Sequence, residues 1–477
     1  MCPGWHECCS CMVLHENERT FDMMQLAKKM ISGLIILAGF ASVSWAETAG
    51  ENTGRAILAR LETRLSLPDL LTYAYDTSPS ITASKQSWKT FIENYRIGTS
   101  YPDPTLATTY YPSPIETRLG PQDWNFTLSQ VIPFPGTLSR KGKVLESDVA
   151  ISRLRLDKTV KILVRDLSTA YYELVYIQNA IAIARANLAL NEKLVRIGEN
   201  SYAQDRSQLY DLSKASAQTA QIHYDIHLLE ELEKTEKARI NTLINREPDA
   251  PLGPAGALEA RAPVYTLEAV YELAMAHQED IRIADLAFDR STDAVRLAEL
   301  ENLPSFKLGL FYAGIGNPDV ANPPADAGDD AVGLQLGLNL PLWFGKNKSR
   351  KAKALALKEK SRAEKKIVSN RIKEEISRLW FKMENSRRLV TLYETRMLPR
   401  ALDQVATART WFEQGLGNFS DFLEVRATAY NFQLSLERAR ADYGQTLVKL
   451  EQLAGVVLDR KKTPENDTGE KGKGETL

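Results

Sequence analysis

Four short stretches of this chain alternate apolar and polar residues, and they come as two pairs: residues 106–111 with 124–132, and 306–312 with 332–340. In the last stretch Val332, Leu334, Leu336, Leu338 and Leu340 share one face, and Gly333, Gln335, Gly337 and Asn339 share the other. That is the period of a strand with one apolar side and one wet side. Trp124, Phe126, Leu128 and Ile132 oppose Asn125, Thr127 and Ser129 in the same way. Four such strands cannot close a barrel alone, because the smallest single-chain membrane barrels need about eight. If the apolar side faces lipid, several chains must share one wall.

The rest of the composition is that of an ordinary globular protein. Of 477 residues, 44% are apolar and 25% charged, and the formal net charge is −1. The length suffices for a large core, and the balanced charge gives no support to nucleic-acid binding. One segment, residues 30–46, is apolar enough to enter a bilayer as a helix. Lys28 and Lys29 precede it and Ser44-Trp45-Ala46 closes it. A basic start, a short apolar run and a small-residue end describe a secretory signal peptide, with cleavage expected after Ala46. Residues 1–22 do not fit that pattern and carry all the cysteines, Cys2, Cys8, Cys9 and Cys11. Their crowded spacing matches no ordinary zinc site. The expected true start is Met23 or Met24, which leaves a mature chain without cysteine.

The chain reads as an internal duplication. Ile132-Pro133-Phe134-Pro135-Gly136 answers Leu340-Pro341-Leu342-Trp343-Phe344-Gly345, Tyr171-Tyr172 answers Trp380-Phe381, and Asp211-Leu212 answers Asp421-Phe422. The expected organisation has five parts. Residues 1–46 are an N-terminal extension and signal peptide. A first repeat, 47–247, holds a leading helix at 68–98, a strand pair within 105–133, a long helix at 138–203 and a second helix at 206–246. A linker rich in Pro and Gly spans 248–264. The second repeat, 265–456, holds a leading helix at 267–300, a strand pair within 305–341, a long helix at 346–414 and a second helix at 418–455. A charged tail, 457–477, is expected to be disordered.

The long helices are unusual. No Gly or Pro interrupts residues 144–197, and only Pro399 interrupts 346–414. Such runs reach roughly 80–100 Å at 1.5 Å per residue, against an average helix of about three turns. Helices of that length must pack side by side, with the leading helices stacked end to end on the shorter second helices. Residues 111–123 and 314–331, rich in Pro, Gly and Asp, read as exposed loops beyond the strands.

These features together resemble one family, the outer membrane factors of the TolC type. The resemblance runs from about Leu65 to Gly455. It is carried by the tandem duplication, by the Pro/Gly strand-to-helix junctions, and by residues 409–445, where Phe412 and Gly415 precede a turn and Asp421, Phe422, Leu423 and Ala427 open the final helix. It implies a mainly α protein with a small membrane β part: a homotrimer whose three chains of four strands form a shared 12-stranded outer-membrane barrel, continued by a helical periplasmic tunnel. Family members receive substrate from an inner-membrane pump through a periplasmic adaptor and do no chemistry.

The candidate functional residues follow from both readings. Trp124, Phe126, Leu128, Phe306, Leu308, Leu310, Leu334, Leu336 and Leu338 are expected to face outer-membrane lipid. Pro133, Pro135, Gly136, Pro341 and Gly345 mark the strand–helix junctions, since Pro cannot donate to a ladder and Gly accepts positive φ. Trp124, Tyr312 and Trp343 suit the membrane–water boundary. At the far helix ends, Asp205, Asp211, Glu413, Gly415, Gly417 and Asp421 are candidates for the periplasmic gate and adaptor contact, with Gly415 and Gly417 expected to allow a tight reversal. The acidic residues would form rings under threefold repetition and favour cations. Plain capping of their helices by Asp211 and Asp421 is the competing account.

The run Gln130–Gly136 resembles the heavy-metal branch of the family. Independent support for a metal is thin: His223 and His227 lie at i, i+4, but no Cys or carboxylate pattern completes a site. No cofactor or metal site is expected. A periplasmic adaptor, the alternative reading, would need a compact β-rich module beside one helical hairpin and would lack duplicated strand pairs. An enzyme is not expected, since the chain holds no nucleophile elbow, phosphate loop or HExxH motif.

Overall fold

A computed structural model describes residues 54–203, 209–256, 262–414 and 416–459. The signal peptide, the N-terminal cysteines, Asp205, Gly415 and the tail lie outside the described residues. Two compact units divide at Ile57, and the second, from Leu58 onward, contains both strand pairs and all the long helices.

The elements run α1 (Leu67–Thr77), α2 (Pro79–Thr99), β1 (Thr105–Thr117), β2 (Gly120–Ile132), α3 (Thr137–Ala203) and α4 (Leu209–Leu243). The second half repeats the order: α5 (Leu267–His277), α6 (Glu279–Leu300), β3 (Ser305–Ile315), β4 (Ala331–Asn339), α7 (Phe344–Leu392), a π turn (Tyr393–Met397), α8 (Leu398–Glu413) and α9 (Phe419–Ala454). The fold is mainly helical with one small sheet.

Each leading helix, expected to be continuous, is broken in two. Ser78 and Gln278 both take extended backbone, at ψ 121° and 130°. At Ser78 the cause is the following residue, Pro79, which disfavours helical geometry before it. At Gln278 no proline intervenes. There the buried side chain caps α6, its Oε1 accepting from the Ile281 N–H at 3.0 Å. The long helix of the second half is also interrupted. Pro399 lacks the N–H that would bond back to Thr395, and the π turn just before it absorbs the mismatch.

α3, with 67 residues, spans about 100 Å and organises the rest. Along its N-terminal half it packs on α2 and α6. Along its C-terminal half it packs on α4 and α9. Ion pairs mark the first seam, Arg140–Asp293 at 2.7 Å and Lys158–Asp280 at 2.6 Å. The second carries Asn179 donating to Glu437 at 2.7 Å and Arg426 donating to Asn187 at 2.8 Å. α7 lies outside, against α5, α6 and α9. The end-to-end stacking is visible where the Thr77 hydroxyl donates to the Ile244 carbonyl at 3.0 Å. On the other side Gly455 abuts His277 so closely that a Cβ there would meet it at 2.9 Å.

The core is a string of small clusters rather than one centre, as long thin layers require. A cluster midway joins Val270, Ala274, Ile376, Met383, Leu447 and Leu450, all completely or nearly completely buried. Small residues let the helices approach. A Cβ on Gly444 would stand 2.2 Å from the Tyr172 ring. Beside it a polar clasp joins α3 to α9. Arg438 donates twice to Glu173, at 2.8 and 2.9 Å, and also reaches Asp442. Gln445 adds a third bond to Glu173 at 2.7 Å, and the Arg438 guanidinium lies 4.5 Å above the Tyr176 ring. Burial alone would raise the Glu173 carboxyl, but its bonds from Arg438 and Gln445 hold it below the usual carboxylate range.

Candidate functional site

The four strands form one antiparallel sheet in the order β1-β2-β3-β4. Its centre, the β2–β3 pair, joins the two halves of the chain. Residues directly opposite in an antiparallel ladder share a face, so the register settles what each face carries. Leu106 opposes Leu128, Leu128 opposes Leu310, and Leu310 opposes Leu334. The next rows run Phe126–Tyr312–Val332, Leu308–Leu336, and Ile132–Phe306–Leu338. All nine residues expected on the apolar side therefore lie on one face. Leu334 and Leu336 are 86% and 85% exposed, and no described part of the chain covers them.

The opposite face carries Thr105, Thr109, Asn125, Thr127, Ser129, Lys307, Gln335 and Asn339, interleaved with Gly309, Gly333 and Gly337. Such small side chains leave open space beside the polar ones. Gln130 is the main polar intrusion on the apolar face, and its amide is satisfied by the carbonyls of Pro102, at 2.7 Å, and Val131, at 2.9 Å. β1 and β4 each have one unpaired edge, an exposed row of donors and acceptors that natural sheets do not leave bare.

Residues 111–123, expected from their composition to be a loop, are largely strand. β1 continues to Thr117 and β2 begins at Gly120, with only Arg118 and Leu119 turning between them. Pro112 and Pro114, which suggested a loop, fall where the register slips between Tyr110 and Ile115. A bulge tolerates a residue that cannot donate. Gly120 has φ 135°, and a Cβ on it would fall 1.8 Å from the Gly316 carbonyl oxygen. The second expected loop stands: residues 316–330 connect β3 to β4 and fold back so that Gly328 N–H donates to Leu119 at 2.8 Å.

Aromatic rings collect at both ends of the apolar face. Trp124, Phe126 and Tyr312 stack at the turn end, with centroids 5.2–6.1 Å apart. Trp343 and Phe344, 77% and 79% exposed, stand at the helix end. Of the junction residues, Gly136 takes φ 88°, the left-handed geometry expected of it. Pro133 and Pro135 lie between β2 and α3, and Pro341 between β4 and α7. Gly345 departs from the expectation. It lies in the first turn of α7 with ordinary helical backbone and no neighbour within 4 Å of a would-be Cβ.

At the far end of the helices, Phe419, Phe422 and Leu423 pack with Leu194, Ala215 and Phe412. Gly417 serves by close approach rather than by positive φ, since a Cβ there would meet Trp411 Cβ at 3.1 Å. Glu413 is paired with Arg409 at 2.8 Å. Asn418, not Asp421, caps α9, accepting from Ser420 N–H at 3.0 Å. Asp421 is exposed in the first turn, where the helix dipole favours it. Asp211 falls in the first turn of α4. Leu416, 76% exposed, Trp411, whose carbonyl accepts from Leu416 N–H, and Tyr210 at the start of α4 present apolar surface. Sequence reasoning missed them because isolated aromatics between helices read equally well as core. One turn higher, Arg426 has Asn187 as its side-chain partner among the described residues, and burial pushes its guanidinium below its usual range.

Among the described residues no group of three or more His, Cys, Asp and Glu could hold a metal. His223 and His227 point to separate carboxylates, Glu192 at 3.9 Å and Glu230 at 3.5 Å. No described helix is long and apolar enough to cross a membrane.

Comparison with known proteins agrees with this geometry. The family model described as outer membrane efflux protein matches residues 270–456. A comparison with curated sequences finds no match. Among solved structures, the outer membrane protein VceC of Vibrio cholerae is similar at TM-score 0.69 and 19% identity, over 82% of this chain and 96% of that one. CusC, solved in a study of transmembrane channel formation, gives 0.70 and 12%, over 82% and 92%. The outer-membrane channel MtrE of Neisseria gonorrhoeae, in its open state, gives 0.64 and 16%, over 83% and 90%. The chain thus carries an outer membrane efflux protein domain over residues 270–456 and has the fold of solved outer-membrane channels.

Proposed function

We propose that this chain is the outer-membrane channel of a tripartite efflux system. Three copies close one barrel of twelve strands, four from each, and their helices continue it as a periplasmic tunnel. An inner-membrane pump supplies substrate through a periplasmic adaptor, and the channel conducts it passively, without catalysis. The observation that carries this reading is the sheet: one face is apolar and uncovered, the other polar with small residues, and both edges are free. An apolar face of this kind belongs in lipid, and in lipid every strand edge must be paired, so β4 of one copy meets β1 of the next.

The helices support the same closure. Ile367, Phe381 and Trp411 are exposed on the outer helix pair, α7 and α8, while Tyr210, Tyr224 and Leu232 are exposed on α4 at the opposite side of the layer. Two different apolar edges on one protomer suit a head-to-tail ring. The fold is that of solved outer-membrane channels, and the family model covers the second half. The periplasmic adaptor contact is assigned to the turn between α8 and α9, where Glu413, Gly417, Asp421 and the apolar Leu416 lie, together with Gly415 in the same stretch of sequence and Asp205 and Asp211 at the corresponding positions of the first half. Heavy-metal cations are proposed as cargo on the junction segment Gln130–Gly136 alone.

The decisive experiment is fractionation of expressing cells, followed by cross-linking and planar-bilayer recording. A cross-linked trimer in the outer membrane that conducts ions is expected. A monomer released by salt alone overturns the proposal. Metal sensitivity of a deletion strain, compared with its sensitivity to organic drugs, decides the cargo.

A further inference from the structure

The apolar face does not stop at the end of β4. Leu340, Leu342, Trp343 and Phe344 follow it, all exposed, and α7 then opens on an unusual charge run. Phe344–Lys353 contains Lys346, Lys348, Arg350, Lys351 and Lys353, and no Asp or Glu. The first turns of a helix favour anions and disfavour cations, because the dipole's positive end lies there. The first turn holds no acidic residue, and the N-cap residue Trp343 makes no side-chain cap bond. Two of these cations find partners in the chain: Arg350 bonds the Glu301 carbonyl and the Asn302 side chain at 2.8 and 2.7 Å, and Lys351 pairs with Glu299 at 2.8 Å. Lys346, Lys348 and Lys353 are exposed, and among the described residues no carboxylate pairs with them.

The opposite end of the sheet has the reverse charge. Residues 316–330 carry Asp319, Asp326, Asp329 and Asp330 and no Lys or Arg. The cations are therefore concentrated at the end where strands become helices. On the membrane-channel reading, on which this inference rests, that end meets the periplasmic leaflet. Aromatic rings anchor at such a boundary, and lysine stems extend from it towards headgroups.

We propose that Lys346, Lys348 and Lys353, beneath Trp343 and Phe344, bind the anionic headgroups of periplasmic-leaflet glycerophospholipids. The apolar band holds the acyl chains and the unpaired ammonium groups hold the phosphates. Each basic residue near an anionic surface changes affinity about fivefold, so three per protomer make a marked preference for anionic over zwitterionic lipid, weakened by salt.

The test compares the full-length wild type with a K346Q/K348Q/K353Q variant and a control, K366Q/K373Q/K382Q, of equal charge change further along α7. Each is purified in mild detergent, reconstituted with phosphatidylglycerol or phosphatidylethanolamine, and analysed for retained lipid by native mass spectrometry. The wild type and the control should retain phosphatidylglycerol preferentially. The first variant should lose that preference by about tenfold or more while still running as a trimer. Equal retention by all three proteins overturns the proposal. So does dissociation of the first variant to monomers in both lipids, which would assign these lysines to the neighbouring copy. A wild type that is itself no trimer counts against the channel reading instead.

Discussion

Leu336 and Gln335 are chain neighbours on opposite faces of β4, and this makes them a sharp internal control. Leu336 opposes Leu308 in the middle of the apolar ladder and is 85% exposed in the single chain. Leu336→Arg should therefore cost the isolated protomer almost nothing. In a bilayer the same change places a charge on the lipid face, at about 2–4 kcal/mol near the midplane. Three copies multiply this to roughly 6–12 kcal/mol per assembled trimer, comparable to the whole stability of a typical domain. Gln335 opposes Gly309, which has no side chain to obstruct a longer neighbour. Gln335→Arg should assemble normally and shift ion selectivity towards anions. The assay is the amount of heat-modifiable trimer in the outer-membrane fraction, followed by single-channel recording. Loss of trimer in Leu336→Arg with normal trimer in Gln335→Arg is expected. Equal damage from both would refute the facing assignment, and with it the claim that the uncovered leucines meet lipid.

Other perturbations probe the helices. Phe381→Glu, at a site 69% exposed on α7, should leave the protomer folded by circular dichroism but reduce cross-linked trimer several-fold, because it charges an edge assigned to the next copy. Gly444→Val should destabilise by about 1–3 kcal/mol as an overpacked core change, since even a Cβ meets the Tyr172 ring at 2.2 Å; thermal unfolding checks it, and an unchanged midpoint would contradict this packing. Glu173 is held below the usual carboxylate range by Arg438 and Gln445 despite its burial, so its contribution is present above the ordinary glutamate range and is lost as pH falls through the depressed value. Glu173→Gln should therefore be less stable than wild type at neutral pH, and the gap between their melting curves should close on acidification.

Much of this architecture was legible in the chain because it rests on local periodicity. Alternation at 332–340 requires a strand with unlike faces, and the run without Gly or Pro at 144–197 requires a helix far longer than a compact core can use. Punctuation was less reliable. Pro112 and Pro114 read as loop residues but sit in a bulge, Gly345 reads as a turn glycine but lies in a helix, and Gln278 breaks a helix with no Pro or Gly to announce it. These outcomes depend on what each backbone meets, and composition alone does not carry that information.

The division between the two sources is physical. From sequence came the element types, the duplicated order and the two-sided character of each strand, because these follow from side-chain period along one segment. Only the tertiary structure decided that β2 pairs with β3 across the two halves, aligning the apolar faces of all four strands into one uncovered surface. It alone showed which cations at the foot of α7 find partners and which have no carboxylate partner among the described residues. Both depend on contacts between residues far apart in the chain, and such contacts are set by packing rather than by any local pattern.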